Sequence, residues 1–450
     1  MKIYMILMDT AQLIPAMRQL AVRKNAYVLH QVTQCYTNAT MYSLLTGEQL
    51  SDLVPHGPGY YGGRRFHQPF TGPDGVVRPG VVWPWRDRNV LRALRAAGFD
   101  IHVHNGAQET WWDRFIDHDP AITHTSSMEG GDFDTPEALD MVLRADPAWI
   151  AREHEAIARM QASRPDRPTM HFIVYHDMHS SALINRAKDV AYQSMIDRLD
   201  AWDWNEPDTM FWVWSDHGDY TEHHIDGRLR PQNWLAWAMV KDNTDTPITP
   251  GRRVISVRDV RPTLLARFAP SAAATALHAS PIDEPLDPDR IYIVEDSRFA
   301  SDSERCDATA AALFADWHDG VPRLVLQVTY DDKKRYGWDF QFFVSDFNNG
   351  RPGRARPVAS LFDDWRVRHL RFAADPHQRL MTALRERIDW VPAGPPEPTR
   401  QRPGLLRLAV GESAVRLHEL RGAGMSAIRR MAQAVRSRVR PVRTPPTSSH

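Results

Sequence analysis

Short continuous runs of apolar residues mark the first half of the chain, at residues 3–8, 101–104, 171–175, 210–214 and 235–240. Each run has the length of a single strand. A strand of a parallel sheet is covered on both faces, so its sequence is apolar throughout instead of alternating. The runs therefore predict buried strands of a mainly parallel sheet.

Between these runs, apolar residues recur with helical spacing. Strands that alternate with helices indicate a layered α/β fold. We expect a large, mainly parallel sheet sandwiched between helices. The predicted helices span residues 11–22, 88–97, 147–161, 184–202 and 257–268.

The pattern changes in the last third of the chain. Residues 324–330 and 338–344 look like antiparallel strands, and residues 379–388 look like a helix, which together predict a smaller α+β part. Prolines concentrate in the segment that follows, as in a linker. We therefore expect a main domain at 1–283, an α+β subdomain at 284–391, a proline-rich linker at 392–404 and a basic tail at 405–450.

The C-terminal tail is rich in arginine. Residues 400–450 hold eleven arginines against Glu412 and Glu419, and their apolar residues hint at amphipathic helices. Such a tail can make peripheral contact with an anionic surface. The alternative is a helix that packs on its own domain, followed by a disordered end.

Composition narrows the function classes. The 450 residues carry a net charge of −1, which gives no electrostatic case for specific nucleic acid binding. The two cysteines, Cys35 and Cys306, form no disulfide framework or metal motif. No apolar run approaches the roughly 20 residues that span a bilayer, and residues 3–8 resemble a first strand more than a signal peptide. We expect a cytoplasmic protein of unassigned oligomeric state.

The strongest chemical signal follows the fourth apolar run, where Asp216-His217-Gly218 ends the strand. Functional groups gather beyond the carboxyl ends of strands in open α/β sheets. Carboxylate and imidazole are ligands that zinc and manganese accept. An isolated pair could instead be a helix-capping Asp beside an incidental His. The nearby Glu222-His223-His224 adds ligand-type residues and favours a metal site.

Two further positions carry candidate chemistry. Asp9 ends the first strand, as a metal ligand or as a cap of the next helix. Thr37 begins a predicted helix that ends at Thr46-Gly47. A helix N-terminus favours negative charge, and a hydroxyl that touches a metal can act as a nucleophile. The alternative is that Thr37 only caps the helix.

Taken together, these segments resemble the alkaline phosphatase/sulfatase superfamily over about residues 1–270. Residues 37–47, TNATMYSLLTG, are similar to the nucleotide pyrophosphatase/phosphodiesterase motif T-F-P-N-H-Y-S-L-V-T-G. Residues 215–224 are similar to the sulfatase pattern S-D-H-G-E-x-x-G-E-H, and residues 259–265 to D-x-x-P-T-L-L. Sulfatases convert a cysteine within C-x-P-x-R, whereas Cys35 lacks that context and Thr37 stands at the nucleophile position.

The resemblance implies an alkaline phosphatase-like fold and a metal-dependent hydrolase or transferase of phosphate esters with a threonine nucleophile. Its substrate would be a small-molecule, glycan-linked or lipid-linked anionic ester. The alternatives are a sulfuric ester hydrolase and an inactive, sulfatase-like binding module. The implied metal is zinc or manganese, with calcium or magnesium as alternatives. Implied residues are the metal ligands Asp9, Thr37, Asp216 and His217, the catalytic Thr37, His179 and His224, and second-metal or substrate contacts from Asp177, His223 and Asn105.

Overall fold

Two main sheets with their helices make up the fold. A computed structural model describes residues 1–35, 37–49, 70–71, 77–78, 89–105, 122–126, 154–155, 158, 166–175, 188–218, 230–272, 279–297, 306–331, 340–348, 351–353 and 355–387. The predicted linker and tail lie outside these ranges, as does most of the predicted helix 147–161.

The described residues of the first part of the chain form ten strands. In chain order they are β1 (Lys2–Met8), β2 (Tyr27–Val32), β3 (Phe70–Thr71), β4 (Val77–Arg78), β5 (Asp100–Asn105), β6 (Ile122–Ser126), β7 (Thr169–Tyr175), β8 (Thr209–Trp214), β9 (Leu235–Asp242) and β10 (Val254–Ser256). Strands β3 and β4 pair with each other as a separate two-stranded sheet, and the other eight form the large sheet. The order across the large sheet is β10-β2-β9-β8-β1-β7-β5-β6.

The large sheet has seven strand pairings among the described residues, of which five are parallel and two are antiparallel. Strands β8, β1, β7, β5 and β6 run parallel in an unbroken series, and β2 runs parallel to β10. Strand β9 is the exception, because it is antiparallel to both β8 and β2. The mainly parallel sheet predicted from the apolar runs is therefore confirmed.

Both faces of the sheet are buried, which explains why its strands are apolar throughout. In β1, Met5 and Leu7 belong to one core cluster and Tyr4 and Ile6 to the other. Within the described residues six helices accompany the sheet, and the 3-10 turn Val257–Asp259 leads into the last of them. They are α1 (Pro15–Lys24), α2 (Thr37–Thr46), α3 (Val90–Ala96), α4 (Lys188–Ala201), α5 (Pro231–Trp234) and α6 (Val260–Phe268). The predicted sandwich of sheet and helices is thus confirmed.

The second sheet is antiparallel, as expected for the α+β part. The elements of this part are β11 (Ile291–Ser297), β12 (Cys306–His318), β13 (Val321–Asp331), β14 (Phe340–Asn348), β15 (Arg351–Pro352), β16 (Arg356–Val358), α7 (Trp365–Arg368) and α8 (Pro376–Arg387). One face of the sheet packs against α8 through Leu380, Met381 and Leu384. The exact domain boundaries stay a prediction.

The other face of the second sheet joins the first sheet. Phe314 and Tyr292 share a core cluster with Val32 and Trp234. Two glutamine side chains bond the backbone of β11. Gln34 Oε1 accepts from the Glu295 backbone amide at 2.6 Å, and Gln49 Nε2 donates to Ile293 O at 2.5 Å. These glutamines cover an edge strand with backbone-like partners.

Asp259, from the D-x-x-P-T-L-L segment, has a structural function. It is fully buried, forms a capping box with Ser256, and accepts two hydrogen bonds from Arg290 at 2.8 and 2.7 Å. Burial opposes its ionisation, but Arg290 and Arg252 hold its pKa below the usual value. It therefore ties α6 to the chain that enters the second sheet.

In the ranges that the structure describes, no helix combines the length and the apolar character that crossing a membrane requires.

Candidate active site

The candidate site lies at one edge of the large sheet, where parallel strands end. Asp9 directly follows β1, and Asp216 and His217 follow β8, which is the parallel neighbour of β1. Strand β2 runs in the same direction, because it is antiparallel to β9 as β8 is. Thr37, which follows β2, therefore arrives at the same edge, where α/β folds place their functional groups.

Asp9, Asp216 and His217 form a buried cluster. One ligand atom from each lies within 4.8 Å of the others, which is a spacing that can hold a metal ion. His217 Nε2 lies 3.3 Å from Asp216 Oδ2 and 4.0 Å from Asp9 Oδ1. All three residues are at most 3% exposed. Among the described residues, this is the one group of His, Cys, Asp and Glu with such a spacing.

Thr37 is the first residue of α2 and touches the same cluster. Its hydroxyl donates to Asp216 Oδ2 at 2.5 Å. The helix ends as predicted, because Gly47 has a φ of +72° and its amide donates to Ser43 O. A left-handed residue after the last turn is the usual glycine C-terminal cap. The ten-residue helix thus points its amino end, and Thr37, at the cluster.

The electrostatics of the cluster call for a cation. Burial raises the pKa of Asp216, and the nearby charge of Asp9 raises it further. Two buried carboxylates in contact repel each other when both are ionised. A divalent cation between them would offset this repulsion, so the donor set fits a bound metal.

The ring of His217 has an orientation suited to metal binding. Its Nδ1 lies 2.9 Å from Gly218 O. Because a carbonyl oxygen only accepts, Nδ1 carries a proton, and the lone pair of the neutral ring is then on Nε2. A backbone carbonyl commonly fixes the tautomer of a metal-binding histidine in this way. Nε2 faces the two carboxylates, where a cation would lie.

Among the helices that the structure describes, none is capped by Asp9 or Asp216. Helix α1 begins at Pro15, and its N-cap residue is Ile14, so Asp9 does not cap it. The next described helix after Asp216 is α5, whose N-cap residue is Arg230. The alternative structural functions considered for Asp9 and Asp216 are therefore absent from the described helices.

Cys35 and Thr37 lie in different places. Cys35 is 1% exposed and belongs to the core cluster that joins the two sheets, with Val32 and Trp234. The Thr37 hydroxyl, in contrast, donates to Asp216 of the Asp-Asp-His cluster. Of these two residues, the structure therefore places Thr37 at the cluster.

Two threonines that the sequence did not single out also belong to the site. The Thr40 hydroxyl donates to Asp216 O at 2.8 Å, from the turn of α2 that follows Thr37. Thr10 donates from its amide to Asp216 Oδ1 at 3.0 Å and from its hydroxyl to Asp9 Oδ1 at 2.7 Å. The only signal for them was sequence proximity to Asp9 and Thr37.

Five further candidate residues keep the status of predictions. Four of them lie outside the described residues: Asp177, His179, His223 and His224. The fifth, Asn105, is the last residue of β5, whose carboxyl end lies on the same side of the sheet as the carboxyl ends of β7 and β1. The described structure does not include the side chain of Asn105.

No family model matches the sequence, and no curated protein matches it. Solved structures do match. A protein in the alkaline phosphatase superfamily from Vibrio parahaemolyticus is 11% identical, with 79% of this chain and 81% of that chain covered and a TM-score of 0.44. A phosphonate monoester hydrolase from Silicibacter pomeroyi is 13% identical, with 85% and 94% covered and a TM-score of 0.44.

The lipoteichoic acid synthase LtaP from Listeria monocytogenes is 11% identical, with 86% of this chain and 90% of that chain covered and a TM-score of 0.40. Structures of the alkaline phosphatase superfamily are thus among those that match the chain, as the motifs predicted. Identity and TM-score are low in all three, so the chemistry of the site has to be inferred from its own residues.

Proposed function

We propose that the chain is a metal-dependent enzyme that cleaves or transfers phosphate esters through Thr37. The observation that carries this proposal is the Thr37 hydroxyl at a helix N-terminus, in contact with a buried Asp-Asp-His cluster. A hydroxyl at that position can be both activated and aimed at an anionic ester.

The cation would be held by Asp9, Asp216, His217 and the Thr37 oxygen. Carboxylate, imidazole and hydroxyl donors suit manganese or zinc, and carboxylates also accept calcium and magnesium. When bound, such a cation lowers the pKa of a coordinated hydroxyl and neutralises charge on a phosphate oxygen. The burial of Asp216 and the charge of Asp9, which raise the pKa of Asp216, support this assignment.

Thr37 would supply the nucleophile. Its hydrogen bond to Asp216 Oδ2 orients Oγ and provides an acceptor for the hydroxyl proton. The amino end of α2 offers backbone amides and a favourable dipole to the phosphate. Attack by Oγ forms a bond from Thr37 to phosphorus and breaks the bond to the leaving oxygen.

The leaving oxygen requires a proton, and a second acceptor must then release the phosphothreonine. We assign the proton transfer to His179 or His224, by their positions in the motifs. Further contacts to the substrate or to a second metal would come from Asp177, His223 and Asn105. Water as the acceptor makes the enzyme a hydrolase, and an alcohol makes it a transferase. The substrate class is an anionic ester that is free or linked to a glycan or a lipid.

A substrate panel tests this function. Wild type, Thr37→Ala and Thr37→Ser would be assayed on p-nitrophenyl phosphate, bis-p-nitrophenyl phosphate and p-nitrophenyl sulfate, each with zinc, manganese or calcium. Thr46→Ala is the matched control, because Thr46 lies at the far end of α2 and donates to Tyr42 O. We expect wild type and Thr46→Ala to cleave a phosphate ester with a metal present.

Removal of the nucleophile lowers turnover by several orders of magnitude, so Thr37→Ala should be at background while Thr37→Ser keeps part of the activity. Wild-type activity in Thr37→Ala would show that another group attacks. Cleavage of the sulfate alone would favour a sulfatase. Absence of turnover on every ester, together with absence of bound metal, would favour a binding module.

A further inference from the structure

Thr10 has a backbone conformation that threonine rarely adopts. Its φ is +61°, in the left-handed region. A β-branched side chain is unfavourable there, and glycine or asparagine is the usual occupant. The Ala11 amide donates to Met8 O at 3.2 Å, so Thr10 is the third residue of a tight turn that follows β1. Turns with a positive φ at that position favour glycine.

The strained residue contacts both carboxylates of the cluster. Its amide donates to Asp216 Oδ1 at 3.0 Å, and its hydroxyl donates to Asp9 Oδ1 at 2.7 Å. The amide contact depends on the turn, and the hydroxyl contact depends on the side chain. Glycine would keep the first contact and lose the second. A strained residue persists where its surroundings make use of it.

We propose that Thr10 is a positioning residue that holds Asp9 and Asp216 together for the cation, an inference that rests on the proposed metal site. A ligand oxygen of Asp9 and one of Asp216 lie within 4.8 Å of each other, so the two carboxylates repel each other when both are ionised. Thr10 gives each of them a hydrogen-bond donor without adding a third negative charge. The Asp216 oxygen that Thr10 does not bond, Oδ2, is the one that faces Thr37 and His217.

We call the two hydrogen bonds from Thr10 to Asp9 and Asp216 the Thr10 clamp. The clamp also links the two strands that carry these ligands, because Asp9 follows β1 and Asp216 follows the adjacent β8. A partner that orients a metal ligand typically changes metal affinity by 10- to 100-fold. Thr10 would therefore set metal affinity without being a ligand.

The test measures Mn²⁺ binding by isothermal titration calorimetry and the Tm of the metal-free protein, in wild type and three variants. Thr10→Gly relieves the backbone and removes the hydroxyl, Thr10→Val keeps the shape without the donor, and Thr10→Ser keeps the donor. Asp319→Gly is the matched control, because Asp319 also has a positive φ, of +50°, in the turn between β12 and β13.

We expect Thr10→Gly to bind Mn²⁺ about 10- to 100-fold more weakly although its metal-free Tm is unchanged or higher. Thr10→Val should also bind weakly, whereas Thr10→Ser and Asp319→Gly should bind like wild type. The clamp would be contradicted if Thr10→Gly bound Mn²⁺ with wild-type affinity, or if Thr10→Ser bound it as weakly as Thr10→Gly. Either result would leave the proposed metal site standing. Absence of Mn²⁺ binding by wild type would overturn the metal site and the clamp with it.

Discussion

Gly218 occupies a position in the Asp216-His217-Gly218 segment that has no room for a Cβ atom. A Cβ atom there would lie 1.7 Å from the carbonyl oxygen of Gln232 and 3.2 Å from the carbonyl carbon of Asn233. The Gly218 amide donates to Asn233 O at 2.7 Å, and its own carbonyl receives the Nδ1 proton of His217. The glycine therefore permits a close backbone approach that fixes a proposed metal ligand.

Gly218→Ala should push α5 away from the site. Overpacking of this kind costs about 1–3 kcal/mol of stability. The substitution should also weaken metal binding, because it displaces Gly218 O, the carbonyl oxygen that accepts the hydrogen bond from His217 Nδ1. Urea unfolding and Mn²⁺ titration measure the two effects. Gly353→Ala is a milder control, since its Cβ would meet the Asp346 Cβ at 3.1 Å. Equal stability losses in the two variants would contradict the steric explanation.

Single residues at the site were predictable to different degrees. Asp9 and Asp216 could be found from the sequence because each follows a strand whose apolar run is recognisable. Thr37 could be found because it begins a helix whose end is marked by Gly47. Thr10 and Thr40 could not be found, because their hydrogen bonds to Asp9 and Asp216 depend on the backbone conformation around each threonine. Nothing in the residue type of Thr10 indicates a positive φ, and threonine argues against one.

At the scale of elements, strands with a recognisable apolar run were predictable, and some strands without one were missed. The predicted run at 210–214 corresponds to β8 and the run at 171–175 to β7, each with small changes in bounds. Strand β2 was missed, because its sequence YVLHQV places His30 and Gln31 within the apolar run.

Strand β12 was missed for another reason. Its sequence, CDATAAALFADWH, is rich in alanine, which favours helix. In the structure Ala310 and Ala312 face the first sheet, and Ala311 faces the opposite core. Small residues on both faces let two layers approach the strand closely. Tertiary packing therefore overrides local propensity here, and a single sequence does not reveal it.

Helix ends were predictable where a cap residue marks them. The end of α2 at Thr46 follows from Gly47. The predicted helix 11–22 begins only at Pro15, since residues 9–10 form the turn that brings Thr10 to the carboxylates. The sequence between Asp9 and Pro15 thus serves the site rather than the helix.

For the whole molecule, the junction between the two sheets contains a buried histidine. His30 of β2 meets Phe347 of β14 edge to face, with ring centroids 4.8 Å apart. Within the described part of the chain, its Nδ1 has no hydrogen-bond partner. Burial, and then the charges of Arg18 and Arg253, lower the pKa of His30 from 6.5 to about 3. The joined sheets therefore exclude the charged form of this ring.

This lowered pKa predicts a loss of stability in mild acid. Below pH 6.5 the unfolded chain binds a proton at His30 that the folded chain does not, so stability falls as the pH falls from 6.5 towards 3. Between pH 7 and pH 5 the loss should be about 2 kcal/mol. The free energy of unfolding in urea, measured at pH 7 and pH 5, should therefore fall by about 2 kcal/mol less in His30→Leu than in wild type.

The control for this prediction is His318→Leu, since His318 is half exposed. It should retain the pH dependence of wild type. An unchanged pH dependence in His30→Leu would mean that the ring is not buried in a neutral form between the sheets.

We propose that Asp9, Asp216 and His217 hold a cation beside Thr37. This site is tested by the metal content of purified protein that has been stripped with chelator, reloaded with manganese or zinc and desalted. Wild type should retain about one equivalent and Asp216→Asn close to none, because the ligands bind as a set. Asp208→Asn, which changes an exposed carboxylate with a positive φ, should retain as much metal as wild type. Equal metal content in wild type and Asp216→Asn would show that this cluster does not hold the cation.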